Sequence, residues 1–509
     1  MSPRRLSAVA LACAVIPAGI LTGCGGGGGK VDVGPAAAAP ANAALYLDAT
    51  VKPTGSAKTS ADQALMTILH TSDPGGTIVS QIDKQKTATG KSVNYQTDIA
   101  PWLGQKAGLF LTSLGQSSSG AAVIETTNPG AALAFAQTAN GTSGQPKTVD
   151  GVSVQTAQDG TTAYATVGDF LLVGNQAGVQ AAIQADKGLS LGDQSDFKDA
   201  IGNLPSDRLG TFYTVPKSFI DALPPQSFDQ QSKQQLENAA GDQLNEPAAG
   251  ALTATANSVQ FEATGGTNGV ETPESAVIGG VPSQAWLALG IGNLGDTIRH
   301  AIDQLKNQIP NFDVAAQQIQ QTTGASLDQL ESALGDAAVY VQGTTQNTLS
   351  GALVVQVKDV ALIGRLLSQL QGLLQLGAGG IKPLNLSGGG VGFQINDASV
   401  AARPVEIALQ GDKLVIGYGD GSAQQSLAPS QTLGSSQPYS TAHDQISSLG
   451  ADLFLNLQSI FALAESSGAK SDPQYRQAKP YLNALSYLIT GSGTDNDKTE
   501  FKAIVGLNK

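Results

Sequence analysis

The chain has 509 residues with 28 basic and 41 acidic side chains, a formal net charge of −13 at neutral pH. This balance argues against nucleic acid as a partner, because affinity there comes from Lys and Arg neutralising phosphates. It argues equally against a basic patch holding the body to anionic headgroups.

Arg4 and Arg5 precede an apolar run from Leu6 to Ile20, and then come Leu21-Thr22-Gly23-Cys24. The run is too short, and too interrupted by Pro17 and Gly19, to span a bilayer, and small residues lead into a cysteine. Residues 1–23 are therefore expected to be an export signal. No Phe follows Arg4-Arg5 where a twin-arginine signal needs it, which favours the general secretory route. The segment resembles the bacterial lipoprotein signal with its lipobox. That resemblance implies that Cys24 is acylated with diacylglycerol and becomes the first residue of the mature chain, on the outer face of the cytoplasmic membrane. Buried acyl methylenes contribute about 0.8 kcal/mol each, so the lipid bilayer becomes a partner through acylated Cys24. Removal of the signal leaves 26 basic against 41 acidic side chains, a net charge of −15, and takes Cys13 with it. No free thiol then remains for disulfides, thiolate chemistry or a cysteine metal site. Residues 24–39, with Gly25 to Gly29 and an alanine run, read as a flexible tether.

Beyond residue 40 the chain repeats itself. Pro40-Ala-Asn-Ala-Ala-Leu45-Tyr-Leu47 answers Pro282-Ser-Gln-Ala-Trp-Leu287-Ala-Leu289. Asp98 to Gly104 answers Gln329 to Gly335, and Ser119-Gly120-Ala121 answers Ser350-Gly351-Ala352. Val167-Gly-Asp-Phe to Gly174 matches Gln410-Gly-Asp-Lys to Gly417, Leu209 to Val215 matches Ala451 to Leu457, and Val259 to Ala263 matches Thr499 to Ala503. Six blocks in one order predict a tandem duplication, 40–266 and 282–509, joined by a linker at 267–281.

Each copy predicts the same elements. A strand (Ala44 to Val51; Trp286 to Ile291) leads into helices, about Ala61 to Lys86 in the first copy and Asp296 to Gln308 with Val314 to Gln321 in the second. A short helix ends at Leu103-Gly104 or Leu334-Gly335. Strands Leu109 to Leu114 and Ala121 to Thr126 bracket a polar turn. A helix follows, Pro129 to Ala139 or the longer Val360 to Leu376. Strands around Val152 to Gln155 and Ala163 to Thr166 precede Gly168-Asp169, a two-residue loop suited to a type II′ hairpin turn, and strand Phe170 to Val173. Helix Ala177 to Gln184, strand Gly210 to Val215, further helices and strand Val259 to Ala263 close the unit. Hairpins interleaved with helices predict an α+β fold of two tandem homologous units, each a mainly antiparallel sheet covered by helices.

Gly290-x-Gly292-x-x-Gly295, between an apolar run and a helix, has the outline of a dinucleotide-binding turn. That fold needs the helix to return into a parallel strand bearing an acid roughly 20 residues on. Here helix, Pro310 and a second helix follow, and the first copy has Asp48-Ala-Thr-Val-Lys-Pro53 at the same place. No dinucleotide is expected, and no other cofactor.

The lipobox, the small-residue tether, Pro40-Ala-Asn-Ala-Ala-Leu-Tyr-Leu and the Gly168-Asp169-Phe-Leu-Leu-Val-Gly block resemble bacterial exported proteins grouped as domain of unknown function 3352. The likeness covers most of the mature chain. It implies the architecture and carries over no activity and no catalytic residue.

The residues themselves offer little chemistry. His70, His300 and His443 lie in polar helical runs, and Asp296 beside His300 does not complete a zinc site. Gly188-Leu-Ser190-Leu-Gly192 follows a helix, where a nucleophile elbow needs a strand. Ser467-Gly-Ala-Lys470 fits its motif by spacing alone, and Asp193 to Asp199 and Asp495 to Asp497 lack the Gly and Glu of a calcium loop. No metal and no catalytic residue is assigned. Helix Val360 to Leu376 carries a broad leucine face, on which Leu362, Leu366, Leu370 and Leu373 are the candidate contacts for an apolar ligand; the same spacing also builds an ordinary core. The expected function is non-catalytic binding or scaffolding in the cell envelope, with an envelope protein or an apolar ligand as partner. The alternatives are a carrier of a lipid or other apolar ligand in a cavity within or between the repeats, and an extracytoplasmic hydrolase using dispersed carboxylates.

Overall fold

A computed structural model describes residues 32–87, 90–115, 118–224, 230–267, 274–306, 312–377, 380–446, 449–495 and 498–508. Residues 1–23, read above as an export signal, Cys24 and the Asn496-Asp497 part of the last acidic turn lie outside these residues. The chain divides into two compact units, one reaching Gly269 and including Asp495–Glu500, the other Val270–Thr494 with Phe501–Asn508. Both mix helices with antiparallel strands, so the fold is α+β.

In the first unit the strands are β1 (Leu45–Thr50), β2 (Leu103–Ser113), β3 (Ser119–Thr126), β4 (Lys147–Val149), β5 (Val152–Thr156), β6 (Thr162–Val167), β7 (Phe170–Asn175), β8 (Gly210–Thr214), β9 (Ala248–Ala254) and β10 (Ser258–Thr267). They pair antiparallel in the order β5-β6-β7-β3-β2-β1-β8-β9-β10, with β4 on β5. Strand periodicity turns Tyr46, Asp48 and Thr50 to one face and Leu47 and Ala49 to the other. On the first face Tyr46, Phe110 and Tyr213 pack with Val179 and Ile183 of helix Gln176–Lys187 and Phe197 of helix Ser195–Gly202. Phe197 meets Tyr46 and Tyr213 edge to face, with ring centroids 5.7 and 5.0 Å apart. The opposite face is covered at its β3-β7 end by helix Pro129–Asn140, Trp102 and Ile99.

In the second unit the strands are β11 (Ala285–Ile291), β12 (Leu334–Gln342), β13 (Ser350–Val357), β14 (Ile381–Pro383), β15 (Val391–Ile395), β16 (Val405–Gln410), β17 (Lys413–Tyr418), β18 (Gly450–Asn456), β19 (Leu485–Asp495) and β20 (Lys498–Leu507). Their order is β14-β15-β16-β17-β13-β12-β11-β18-β19-β20. The main core packs Tyr340, Val354, Val415 and Phe454 under Tyr439 and Ile446 of helix Gln437–Ile446. A smaller core on the other face joins Phe393 and Leu409 to Ile363 and Leu367 of helix Val360–Gly377. The hairpin turns behave as the sequence predicts: Gly168 has φ +51° and Gly411 φ +59°, while the following Asp stays out of the left-handed region, as a type II′ turn requires.

Several boundaries differ from the sequence reading. The tether does not extend to Ala39: Gly34–Ala38 forms a short helix whose Ala36 and Ala38, with Ala39, are fully buried in the first core. The chain is pinned there because Leu191 N donates to Ala39 O at 2.7 Å and Pro40 bridges to Ser190. The described end of the 267–281 linker is likewise structural, with Val277, Ile278 and Val281 buried in the second core and Leu433 N donating to Val281 O at 2.7 Å. The helices expected over about Ala61 to Lys86 run Gly55–Leu69 and Pro74–Asp83, starting earlier than the sequence reading. His70 turns left-handed at φ +50°, and Asp73 caps the second helix by accepting from Gly76 N at 2.8 Å. Leu103-Gly104 opens β2 instead of ending a helix; the preceding turn, Tyr95–Ile99, is closed by Trp102 Nε1 donating to Asp98 O at 2.6 Å. Finally, Phe212 does not correspond to Phe454. Phe212 shares the side of Leu47 and meets Phe261, whereas Phe454 is buried opposite Ala288, as Tyr213 is opposite Tyr46. The block match is off by one residue, which in a strand exchanges the two faces.

Candidate binding sites

Two concave places stand out, one in each unit. In the second unit the strand register sets two apolar rows across the sheet face opposite the main core. One row runs Leu453, Leu289, Val339, Leu353, Ile416 and Ile407, and the other Leu455, Leu287, Val341, Gly351, Tyr418 and Val405. Helix Val360–Gly377 covers the end of this face over Phe393 and Leu409. Beyond it the rows emerge, with Leu289 39 %, Ile416 41 % and Tyr418 36 % exposed. Gly351 leaves a gap in the second row. The result is an open trough of about 420 Å³ lined by Val339, Val341, Leu349, Leu353, Ile416 and Tyr418. Contiguous exposed apolar surface of this kind marks a place where something apolar binds.

The four leucines singled out in the sequence do not line this trough. Leu362 and Leu366 are half-buried against the small core, while Leu370 and Leu373, on the same side of the helix but nearer its C-terminus, are 40 % and 61 % exposed. Helical spacing identified the apolar face but not how far along the helix the sheet reaches. The trough itself is legible only after register is known, since its rows draw one or two residues from each of several strands.

The first unit holds a polar cleft of about 500 Å³ that sequence reasoning missed. Asp48 on β1 is flanked in register by Gly108 of β2 and Thr211 of β8, and Lys106 lies opposite Thr50. The Tyr46 hydroxyl donates to Asp48 Oδ2 at 3.1 Å, and the Thr211 hydroxyl also bonds that carboxylate. Arg208 Nε donates to Thr211 Oγ1 at 3.1 Å and its Nη1 to Pro205 O at 3.0 Å. Lys106 Nζ pairs with Asp32 Oδ2 at 2.8 Å, while the Gln105 and Lys106 backbone N–H groups donate to Glu125 Oε2 at 3.2 and 2.8 Å.

These contacts shift the carboxyl groups in different directions. Burial pushes Asp48 up, outweighing the charges of Lys106 and Arg208 and the hydrogen bonds from Thr211 and Tyr46 that favour its anion. Burial also pushes Glu125 up against its backbone donors and Lys106. Asp32 is affected in the same sense by partial burial, but the Lys106 hydrogen bond and charge and the Gly34 N–H hold it below the usual range. The Tyr46 phenol is driven well above its ordinary value, first by burial and then by Asp48.

The remaining sequence candidates have structural roles. Gly295 sits where a Cβ would lie 2.1 Å from Glu331 O, and Gly290 where one would lie 3.0 Å from Ser275 Cβ. Strand β11, which carries Gly290 and leads to Gly295, is antiparallel to both neighbours, unlike the strand of a dinucleotide fold. Ser190 forms a capping box with Asp193, Oγ to Oδ2 at 2.7 Å. Asn293 occupies the N-cap position of helix Leu294–Leu305, and Asp296 pairs with Arg299. His443 Nε2 lies 3.1 Å from Glu274 Oε1 and stacks on Tyr439. Lys470 pairs with Glu465 at 3.2 Å. Among the described residues no group of three or more His, Cys, Asp or Glu is arranged to hold a metal, and no helix is long and apolar enough to cross a membrane.

A family model described as protein of unknown function (DUF3352) matches residues 77–507. No curated protein matches the chain. Among solved structures, crystal forms I and IV of TP0453 align with 10% and 12% identity over 78% of this chain, and over 98% and 96% of theirs. The TM-scores are 0.17 and 0.16, too low to bear on fold or function.

Proposed function

We propose, for a chain that belongs to the family described as protein of unknown function (DUF3352), a lipid-anchored envelope protein that binds an acyl-chain ligand in the trough of its second unit without transforming it. The observation that carries this reading is the pair of apolar rows that continues past the edge of helix Val360–Gly377 into open space. Each ligand methylene buried there contributes about 0.8 kcal/mol. The lipobox before Cys24 supplies the setting, on the outer face of the cytoplasmic membrane where such chains are abundant.

The protein on this reading is built from two homologous copies. Support comes from the shared pairing order, in which β1 to β10 follow the same sequence of neighbours as β11 to β20. The bridges Pro40–Ser190 and Pro282–Thr432 are a second correspondence at the same point of each unit.

The test is binding of a dansyl-labelled undecanoic acid to the full chain in detergent, with native mass spectrometry of protein taken from an envelope fraction. Saturable fluorescence that is lost in Ile416→Asp and in Tyr418→Asp, together with a lipid released on unfolding, supports the carrier. Protein that binds neither probe nor lipid defeats it and leaves this face as a docking surface for an envelope protein.

One observation favours a hydrolase as a second reading. Asp48 and Asp32 border one cleft with their acidities moved in opposite directions, as in acid and base pairs. Release of nitrophenol from nitrophenyl glycosides or esters, abolished by Asp48→Asn, would establish it.

A further inference from the structure

Asp48, Lys106 and Arg208 are not used by the trough, which lies in the other unit. We propose that the cleft of the first unit binds a small neutral polyhydroxylated ligand, a sugar or sugar-like polyol.

Charge comes first. Lys106 is already paired with Asp32, and Arg208 stands over the Thr211–Asp48 pair, so the cations are locally matched by carboxylates. An anion entering the cleft meets Asp32, Asp48 and Asp207, and a cation meets Lys106 and Arg208. A neutral ligand meets no such opposition and finds both kinds of hydrogen-bonding partner. Arg208 is the principal donor: with Nε and Nη1 engaged, its Nη2 has no acceptor among the described residues. Asp48 retains acceptor capacity beyond its bonds to Tyr46 and Thr211, since a carboxylate offers about four lone-pair sites. The hydroxyls of Thr50, Ser56 and Ser206 can each donate or accept. A guanidinium next to a carboxylate suits adjacent hydroxyls on one ring, each of which donates once and accepts twice.

Apolar surface and size agree with this. Pro53, Ala57, Ile201 and Leu204 line the same cleft and can face the C–H side of a sugar ring. The volume of about 500 Å³ lies within the roughly 300–1,000 Å³ of small-molecule sites. The cleft is built, not incidental. Asp48 is kept in a half-buried strand position that an apolar residue would occupy at less desolvation cost.

The experiment is saturation-transfer NMR on the full chain in detergent with glucose, galactose, mannose, arabinose and myo-inositol as separate probes, and inorganic phosphate followed by phosphorus NMR. The expected result is saturable transfer to at least one of the five, weakened about tenfold in Arg208→Gln and in Asp48→Ala by loss of one charged hydrogen bond. Ser206→Trp, at an exposed lining position, should block the cleft without entering the core, and the melting temperature of each variant reports folding. Transfer to none of the five overturns the proposal, as does transfer that Ser206→Trp leaves intact. Phosphate binding that Arg208→Gln removes, without sugar binding, overturns it in favour of an anion site. Because the trough variants lie in the other unit, failure here leaves the acyl-chain result unaffected.

Discussion

Asp48 on β1 stands directly across from Thr211 on β8, and the Thr211 hydroxyl touches both that carboxylate and Arg208 Nε. The pair holds the acid in a place where burial favours its protonated form. A carboxyl whose folded pKa exceeds its unfolded value, near 3.9, stabilises the fold most below that value. The contribution is lost as pH rises through the folded pKa. Asp48→Asn removes this dependence, so the variant should gain melting temperature relative to the parent at neutral pH, with the gap closing on acidification toward about pH 4. Thermal unfolding across that range measures it, and a gap independent of pH would contradict the stated protonation.

Gly295 should resist replacement for a reason unrelated to nucleotides. Gly→Ala inside a helix normally stabilises by up to about 1 kcal/mol. Here the new Cβ would lie 2.1 Å from Glu331 O, so helix Leu294–Leu305 must move. Gly295→Ala should instead destabilise by about 1–3 kcal/mol, the usual cost of overpacking. Denaturant unfolding decides the sign.

The leucine face of helix Val360–Gly377 should split energetically. Leu367 is 5 % exposed in the small core, and Leu367→Ala should cost about 2–5 kcal/mol. Leu373 is 61 % exposed, and Leu373→Ser should fall within about 0.5 kcal/mol of the parent. Equal effects would mean that the outer leucines are covered.

Deleting residues 24–39 should not behave as removal of a floppy extension. Ala36, Ala38 and Ala39 fill the core beside Tyr46, and Leu191 N loses its acceptor. The shortened chain should unfold several degrees lower, and scanning calorimetry should place the loss in the first unit's transition.

Much of the fold was legible because strands announce themselves by alternation and hairpins by turn chemistry. Gly168-Asp169 and Gly411-Asp412 each marked a hairpin, and the extents of helices Pro129–Asn140 and Val360–Gly377 followed closely from their pattern. Alanine misled in both directions. Ala36 to Ala39 looked like linker because small residues carry no amphipathic signal, yet close packing against Leu191 buries them. The slip between Phe212 and Phe454 escaped notice because a block match does not see which face a residue occupies. The cleft was invisible for a different reason. Asp32, Asp48, Lys106 and Arg208 are scattered along the chain and meet only through the β2-β1-β8 pairing and the return of the N-terminal segment.

That return also sets a length. Asp32 is already tied to Lys106, and on the anchoring proposed above only seven residues lie between it and the lipidated Cys24. Fully extended, such a leash reaches roughly 30 Å at most. An acylated Cys24, as proposed above, would therefore moor the body within that distance of the lipid surface. A carrier so moored would collect its ligand there, and delivery farther across the envelope would need a second carrier.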